Sequence, residues 1–260
     1  TEILGQQAGN LTYGHRFMAP KALKVSSPAS YVTTLLKRGK VMADVNARRD
    51  SIRAGVTAAA AKLDGIAVID DALLDEVTGL VEWPVPLAGR FDPQFLELPA
   101  EVLVATMQEH QRYFPVRDAL VKLLPWFITV ANIESREPSQ VIAGNERVVR
   151  PRLADAAFFY RTDRQQPLST HVAALQRVTF QTQLGSQHDK SERVRALAKS
   201  IAAAIGADPA LADRAAELSK CDLLTHMVGE FPELQGLMGR YYALHDHESA
   251  EVAEALREQY

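Results

Sequence analysis

The chain has 260 residues, 47% of them hydrophobic, with a formal net charge of −3 and a single cysteine. That size suits one large or two ordinary domains with packed cores, and a lone thiol, Cys221, excludes an internal disulfide framework or a multi-cysteine zinc site. No run nears the roughly 18 apolar residues of a membrane span, and slight acidity gives no general pull on polyanions; the cytoplasm is the default, and nucleic-acid contact would need a local basic patch.

The chain opens on Thr1 rather than methionine and closes on a helical EVAEALREQY without a terminal cap, which reads as part of a longer protein. Ser27 and Pro28 supply an N-cap and a first-turn proline for a helix ending near Gly39. Asp44 caps a second helix, in which Val45, Ile52, Val56, Ala59 and Leu63 form one stripe; both helices are expected to pack on a sheet. Strands are predicted at 85–91, 113–116 and 126–131, with a helix over 101–111. In His110-Gln-Arg-Tyr-Phe-Pro115 a helix end enters a strand, with its aromatics inside. This mixture argues for an α+β domain with a mixed sheet over residues 1–160.

From Ser139 the chain turns helical. Residues 139–164 form one long stretch in which Pro151 predicts a kink or break. A helix over 193–205 repeats Val194, Leu197, Ala198, Ile201 and Ile205 on one face and stops at Gly206, and Asp208-Pro209 starts another. Residues 161–260 are therefore expected to be an all-α domain.

Asp222 is the residue that needs explaining. Leu211, Ala215, Leu218, Asp222 and Thr225 follow alternating steps of four and three, so a carboxylate stands where a buried helical stripe wants an apolar side chain. A buried charge needs a cationic or hydrogen-bonding partner. The second half has the outline of an HD-type helical domain, in which histidines and a His-Asp pair bind a catalytic metal. Its ligands are replaced: Cys221 precedes Asp222 where a histidine belongs, and Lys190 stands at the earlier position. An ammonium cannot ligate a metal, so the expectation is a degenerate site of Lys190, Cys221 and Asp222 in which Lys190 supplies the missing positive charge. His188-Asp189, His226 and His245-Asp246-His247 carry ligand-type side chains but no ligand spacing; the first two read as ligands or structural residues, the triplet as ligands or a solvated turn. Cys221 beside an acid reads as an inert thiol.

The segment ERVVRPRLADAAFFYRTDR places Arg147, Arg150, Arg152, Arg161 and Arg164 around Phe158, Phe159 and Tyr160. Such a surface grips phosphates and stacks on bases, yet the same mixture also builds ordinary domain junctions, and Arg152 can pair with Asp155 one turn away.

Several strings, in order and nearly end to end, carry a resemblance: NLTYGHRF (10–17), LLKRGKV (35–41), LVEWPV (80–85), LPAEVLVATMQEHQRYFPV (98–116), FITVANIES (127–135), GNERVVRPRLADAAFFYRTDR (144–164), FQTQLGS (180–186), DKSER (189–193) and KCDLLTHMVGEFPELQGLMG (220–239). Together they resemble the beta subunit of bacterial tetrameric glycyl-tRNA synthetase. The resemblance implies a B3/B4-like α+β half followed by a degenerate HD half. It implies a tRNA-binding and scaffolding role without catalytic residues, a cytoplasmic alpha2beta2 assembly, and an alpha subunit that holds ATP and magnesium and joins glycine to tRNA(Gly). The Asp-Lys pair of that family is present as Asp189-Lys190. No cofactor or metal is expected on this chain itself. A metal-dependent HD-type nucleotide phosphohydrolase is the alternative, and a pure assembly module without RNA contact is a third reading.

Overall fold

The computed structural model describes residues 2–7 and 9–260. The chain divides into two compact units, residues 1–153 and 154–260.

The first unit opens with two small antiparallel pairs, β1 (Glu2–Ile3) with β2 (Gln6–Gln7) and β3 (Leu11–Tyr13) with β4 (Ala22–Lys24). The expected helix after Ser27 begins as a 3-10 turn at Pro28–Ser30, continues as α1 (Tyr31–Thr34) and widens to a π-turn at Leu35–Gly39, ending where Lys40 turns left-handed. Asp44 caps α2 (Val45–Ala61) by accepting a hydrogen bond from the Ala47 amide. Next come β5 (Ile66–Ala67), α3 (Asp71–Leu80), β6 (Val85–Arg90), α4 (Ala100–Gln111), β7 (Phe114–Arg117) and β8 (Leu123–Ala131).

Strands β5, β7, β8 and β6 form one sheet in that order, antiparallel throughout rather than mixed as expected. Its prolines sit where a ladder tolerates them: Pro86 is on an edge strand and Pro115 borders the register shift between β7 and β8. That shift lets β8 start at Leu123, three residues before the expected strand, despite Pro125. Helices α2 and α3 bury Ile52, Val56, Leu74 and Val77 against Phe114, Val116 and Ile128 of the sheet. Val45, expected on the same stripe, is exposed because it occupies the first turn of α2. Tyr113 and Phe114 are buried as expected.

Of the kink or break predicted at Pro151, the break is absent, since helix α5 (Pro138–Asp163) continues through it; the division between the units falls within this helix. The second unit is not all-α as expected: it continues with a small antiparallel pair, β9 (Thr179–Gln181) and β10 (Gly185–Ser186), before α6 (Gln187–Ile205), α7 (Pro209–Leu218), α8 (His226–Glu230), α9 (Leu237–His245) and α10 (Ala250–Glu258). Gly206 closes α6 in the left-handed region, as predicted.

Two further expectations fail here. The Val194–Ile205 stripe of α6 is not its inner face: Leu197, Ile201 and Ile205 are exposed, and Ser191 and Ala202 are the buried positions. Small residues allow α6 and α7 to pack closely. Nor do Leu211 to Thr225 lie on one helix, since α7 ends at Leu218, Cys221–Leu224 is a 3-10 turn and Thr225 caps α8. Among the described residues no helix is long and apolar enough to cross a membrane.

Candidate functional site

Asp222 is only 1% exposed, so the sequence located a buried carboxylate correctly while misplacing it on a continuous helix. The 3-10 turn aims its side chain at the loop before α9. There Oδ2 accepts hydrogen bonds from the Gly236 and Gly239 amides, at 2.5 and 3.2 Å. Gly236 can offer its amide this way because its φ is 76°, a conformation that favours glycine. Oδ1 has no hydrogen-bond partner among the described residues. Burial raises the Asp222 pKa above the ordinary carboxylate value, against the lowering effect of the two glycine amides and the Lys220 charge. The geometry is that of a structural carboxylate bracing a turn.

Lys190 does not supply the countercharge. Its ammonium lies 4.5 Å from the centre of the Phe180 ring, and no ion pair joins it to Asp222 among the described residues. The cation that acts on Asp222 is Lys220, which rests 3.8 Å from the Tyr260 ring centre. Burial, and secondarily the neighbouring Lys190 charge, lower the Lys220 pKa. The expected pairing fails because α7 ends before Asp222, which turns the carboxylate toward the α9 loop. Asp189, next to Lys190, completes a capping box: its Oδ2 accepts from the Ser186 amide and hydroxyl, both at 2.8 Å, and this holds its pKa below the usual range.

Cys221 is fully buried, its thiol directed at the Glu217 carbonyl. Burial first, then the Asp222 and Glu217 charges, push its pKa up to about 12, leaving an unreactive thiol. Among the described residues no three His, Cys, Asp or Glu side chains cluster as metal ligands. His226 does not share the Asp222 face; its ring stacks on Phe159, 6.1 Å between centroids. The 245–247 triplet is a turn with anchoring duties: His245 Nδ1 meets Arg164 at 2.9 Å and Asp246 accepts from the Leu168 amide.

The five arginines separate by environment. Arg147, Arg150, Arg152, Arg161 and Arg164 are all exposed positions of α5 or its end. Arg164 is committed locally, lying 4.9 Å from the Tyr160 ring centre besides contacting His245. Arg150, in contrast, borders an open cavity of about 540 Å³ in the first unit, with Arg90 on its other side. The two carboxylates at that cavity are occupied by protein donors: Glu146 accepts from the Arg90 amide and Asp92 from Gln94. The guanidiniums of Arg90 and Arg150 make no ion pair among the described residues. Arg90 lies 5.8 Å from the Trp126 ring centre. Glu146 and Asp92 keep their negative charge at the same cavity, but two guanidiniums outside any ion pair and beside an aromatic can hold a phosphate and a base.

Two structural centres escaped the sequence reading. Asp163, inside the 144–164 string, accepts from the His226 and Met227 amides and from the Tyr242 hydroxyl, each at 2.9 Å. It also faces His171, whose pKa is lowered chiefly by burial. In the first unit, buried His15 bonds the Asn132 carbonyl, Asn132 Oδ1 accepts from the Glu82 and Trp83 amides, and Glu134 accepts from the Trp83 indole and pairs with Lys40. The strings at 10–17, 35–41, 80–85 and 127–135 thus meet at one place. A buried histidine flanked by glycine and arginine was the available signal, but partners more than a hundred residues away gave it no periodicity.

Comparison with known proteins adds an independent line. The family described as "Glycyl-tRNA synthetase beta subunit" matches residues 1–260. The chain is 59% identical over 259 residues to the glycine–tRNA ligase beta subunit of Marinobacter nauticus, covering 99% of this chain and 37% of that protein. It is 55% identical over 259 residues to that of Hahella chejuensis, covering 100% and 37%. With the Pseudomonas putida W619 protein of the same name, identity is 54% over 258 residues, covering 99% and 38%. The chain thus spans 37–38% of the length of these relatives.

Proposed function

Because the chain belongs to the glycyl-tRNA synthetase beta subunit family, we propose that it is a tRNA-binding and scaffolding part of a glycine–tRNA ligase. In this reading the alpha subunit carries out the ATP- and magnesium-dependent joining of glycine to tRNA(Gly), in the cytoplasm and within an alpha2beta2 assembly. This chain holds the tRNA in place. The first unit is read as a B3/B4-like module and the second as an HD-like domain whose former metal position is filled by a structural carboxylate.

The observation that carries the reading is the Arg90–Arg150 cavity. Its two cations are in no ion pair among the described residues, it opens to solvent, and Arg147 lies one helical turn from Arg150 on α5. A nucleotide phosphohydrolase would need further metal ligands around Asp222, and among the described residues no three His, Cys, Asp or Glu side chains cluster. Instead the carboxylate is buried and one oxygen is bonded to two backbone amides.

The test uses full-length alpha and beta subunits. Arg147→Ala with Arg150→Ala should raise the KM for tRNA in glycylation while adenylate formation, measured by ATP–pyrophosphate exchange, is retained. Equal loss of both activities would place these residues in assembly or chemistry instead.

A further inference from the structure

Residues 3–43 contain six cationic side chains, Arg16, Lys21, Lys24, Lys37, Arg38 and Lys40, and no Asp or Glu, in a chain whose net charge is −3. The rest of the chain is therefore more acidic than the total implies. Such segregation of charge makes a local field that the overall balance conceals.

The fold brings the β3–β4 hairpin loop against the end of the 28–39 helix. In the β3–β4 hairpin Leu11 pairs with Lys24 and Tyr13 with Ala22, while Leu23 between them is buried. Leu11, Tyr13 and Lys24 therefore take the outer side, and Tyr13 is 69% exposed. The following loop lies against the end of the 28–39 helix. A Cβ on Gly14 would sit 2.3 Å from the Gly39 carbonyl oxygen, and the His15 amide donates to that oxygen at 2.7 Å. Lys37 and Arg38 immediately precede this contact and Arg16 follows it. Their charges also complement the negative end of the helix, but Lys37 and Arg38 remain exposed.

His15 fixes the loop from beneath. Its Nε2 donates to the Asn132 carbonyl at 2.6 Å, and its Nδ1 accepts from the Phe17 and Met18 amides at 3.3 and 3.2 Å. With the imidazole 1% exposed, Phe17 is held outward at 69% exposure, and the Arg16 guanidinium lies 5.0 Å from its ring centre. Lys40 is taken by Glu134 and the Trp83 ring, leaving the other five cations to solvent.

We infer that this surface, centred on Arg16 and Phe17 and flanked by Tyr13, Lys24, Lys37 and Arg38, is a second RNA contact, engaging an unpaired segment of tRNA. The inference rests on the tRNA-binding reading above but concerns residues remote in sequence from Arg147 and Arg150. The stretch itself carries no acid and the adjacent Glu134 is paired with Lys40, which suits a phosphodiester backbone, and flat exposed rings, one already stacked with a guanidinium, suit unstacked bases. Because His15 and the Gly14–Gly39 contact hold the loop in place beforehand, little ordering entropy opposes binding.

The experiment measures the affinity of assembled full-length alpha and beta subunits for a tRNA(Gly) transcript, at several salt concentrations. Arg16→Ala with Phe17→Ala, and separately Lys37→Ala with Arg38→Ala, are compared with the Arg147→Ala, Arg150→Ala protein. All the substituted side chains are exposed, so the fold should persist, and gel filtration reports assembly. The first pair should weaken binding by about fivefold or more. The second should lower the salt slope by about 0.7 for each single-strand phosphate that is no longer neutralised. Replacing Phe17 with Tyr, alongside native Arg16, should keep near-native affinity. If both N-terminal pairs bind tRNA normally while the Arg147, Arg150 pair does not, this inference falls and the broader reading stands. If none of the variants weakens binding, both fall. Loss of subunit assembly with normal tRNA affinity of the beta subunit would mark the surface as a protein interface and overturn the inference.

Discussion

The two units build their interiors differently. In the first, α2, α3 and the sheet close over aliphatic and aromatic side chains, and the buried hydroxyls of Thr78 and Thr106 bond back to carbonyls of their own helices. In the second, every α-helix after the 19-residue α6 is short, at five to ten residues, and the interior admits Asp222, Thr225 and Ser191. There, carboxylates hold the turns: Asp222 gathers the amides of Gly236 and Gly239, and Asp163 those of His226 and Met227. Long elements can be held by area alone, whereas short ones leave many backbone donors at their ends that side chains must satisfy. A motif that looks catalytic by residue type can therefore be structural by position.

This contrast predicts a ranked series of losses. The largest belongs to the sheet core: Ile128→Ala removes a fully buried side chain and should cost about 2–5 kcal/mol by urea unfolding. A cost below about 1 kcal/mol would mean the sheet core is not close-packed. Next comes Asp222→Ala. Two buried amides lose their acceptor, each orphaned donor costing about 1–3 kcal/mol, and removal of the buried carboxylate returns part of that through its own desolvation, so a net cost of about 2–4 kcal/mol is expected. A stability equal to that of the native chain would deny the carboxylate its bracing role.

A finer probe of the same site is pH. The folded-state pKa of Asp222 is raised, so the fold binds this proton more tightly than the unfolded chain. Its contribution is complete below the unfolded carboxylate pKa and is lost as pH rises through the folded value. Asn at position 222 cannot titrate, so the stability of the native chain relative to Asp222→Asn should fall as pH rises above the ordinary carboxylate value of 3.8. A difference that grows over that range would reverse the assignment. The smallest effect is expected for Lys190→Met, which removes the cation–ring interaction with Phe180 and also the repulsion of Lys220, and should change stability by no more than about 0.5–1 kcal/mol. A loss of several kcal/mol would restore Lys190 as the partner of Asp222.

Legibility in the sequence followed the same division. The 101–111 helix, the strands at 85–91 and 113–116, the caps at Asp44 and Asp208 and the stop at Gly206 were readable because local chemistry decides them. Asp222 was legible as buried, but not its partners, because glycine amides 14 and 17 residues away leave no side-chain pattern. The α6 stripe misled because apolar periodicity marks a face without saying what covers it; Leu197 and Ile201 are exposed. The joining of His15 to Asn132 across 117 residues lay beyond any periodic reading.

The most direct test of the tRNA-binding role is the salt dependence of tRNA(Gly) binding by the assembled ligase, comparing the native beta subunit with Arg147→Ala, Arg150→Ala. If these arginines neutralise phosphates, the plot of log affinity against log salt becomes shallower by about 0.7–0.9 for each phosphate they release. An unchanged slope and affinity would contradict it and leave an assembly module without RNA contact at α5.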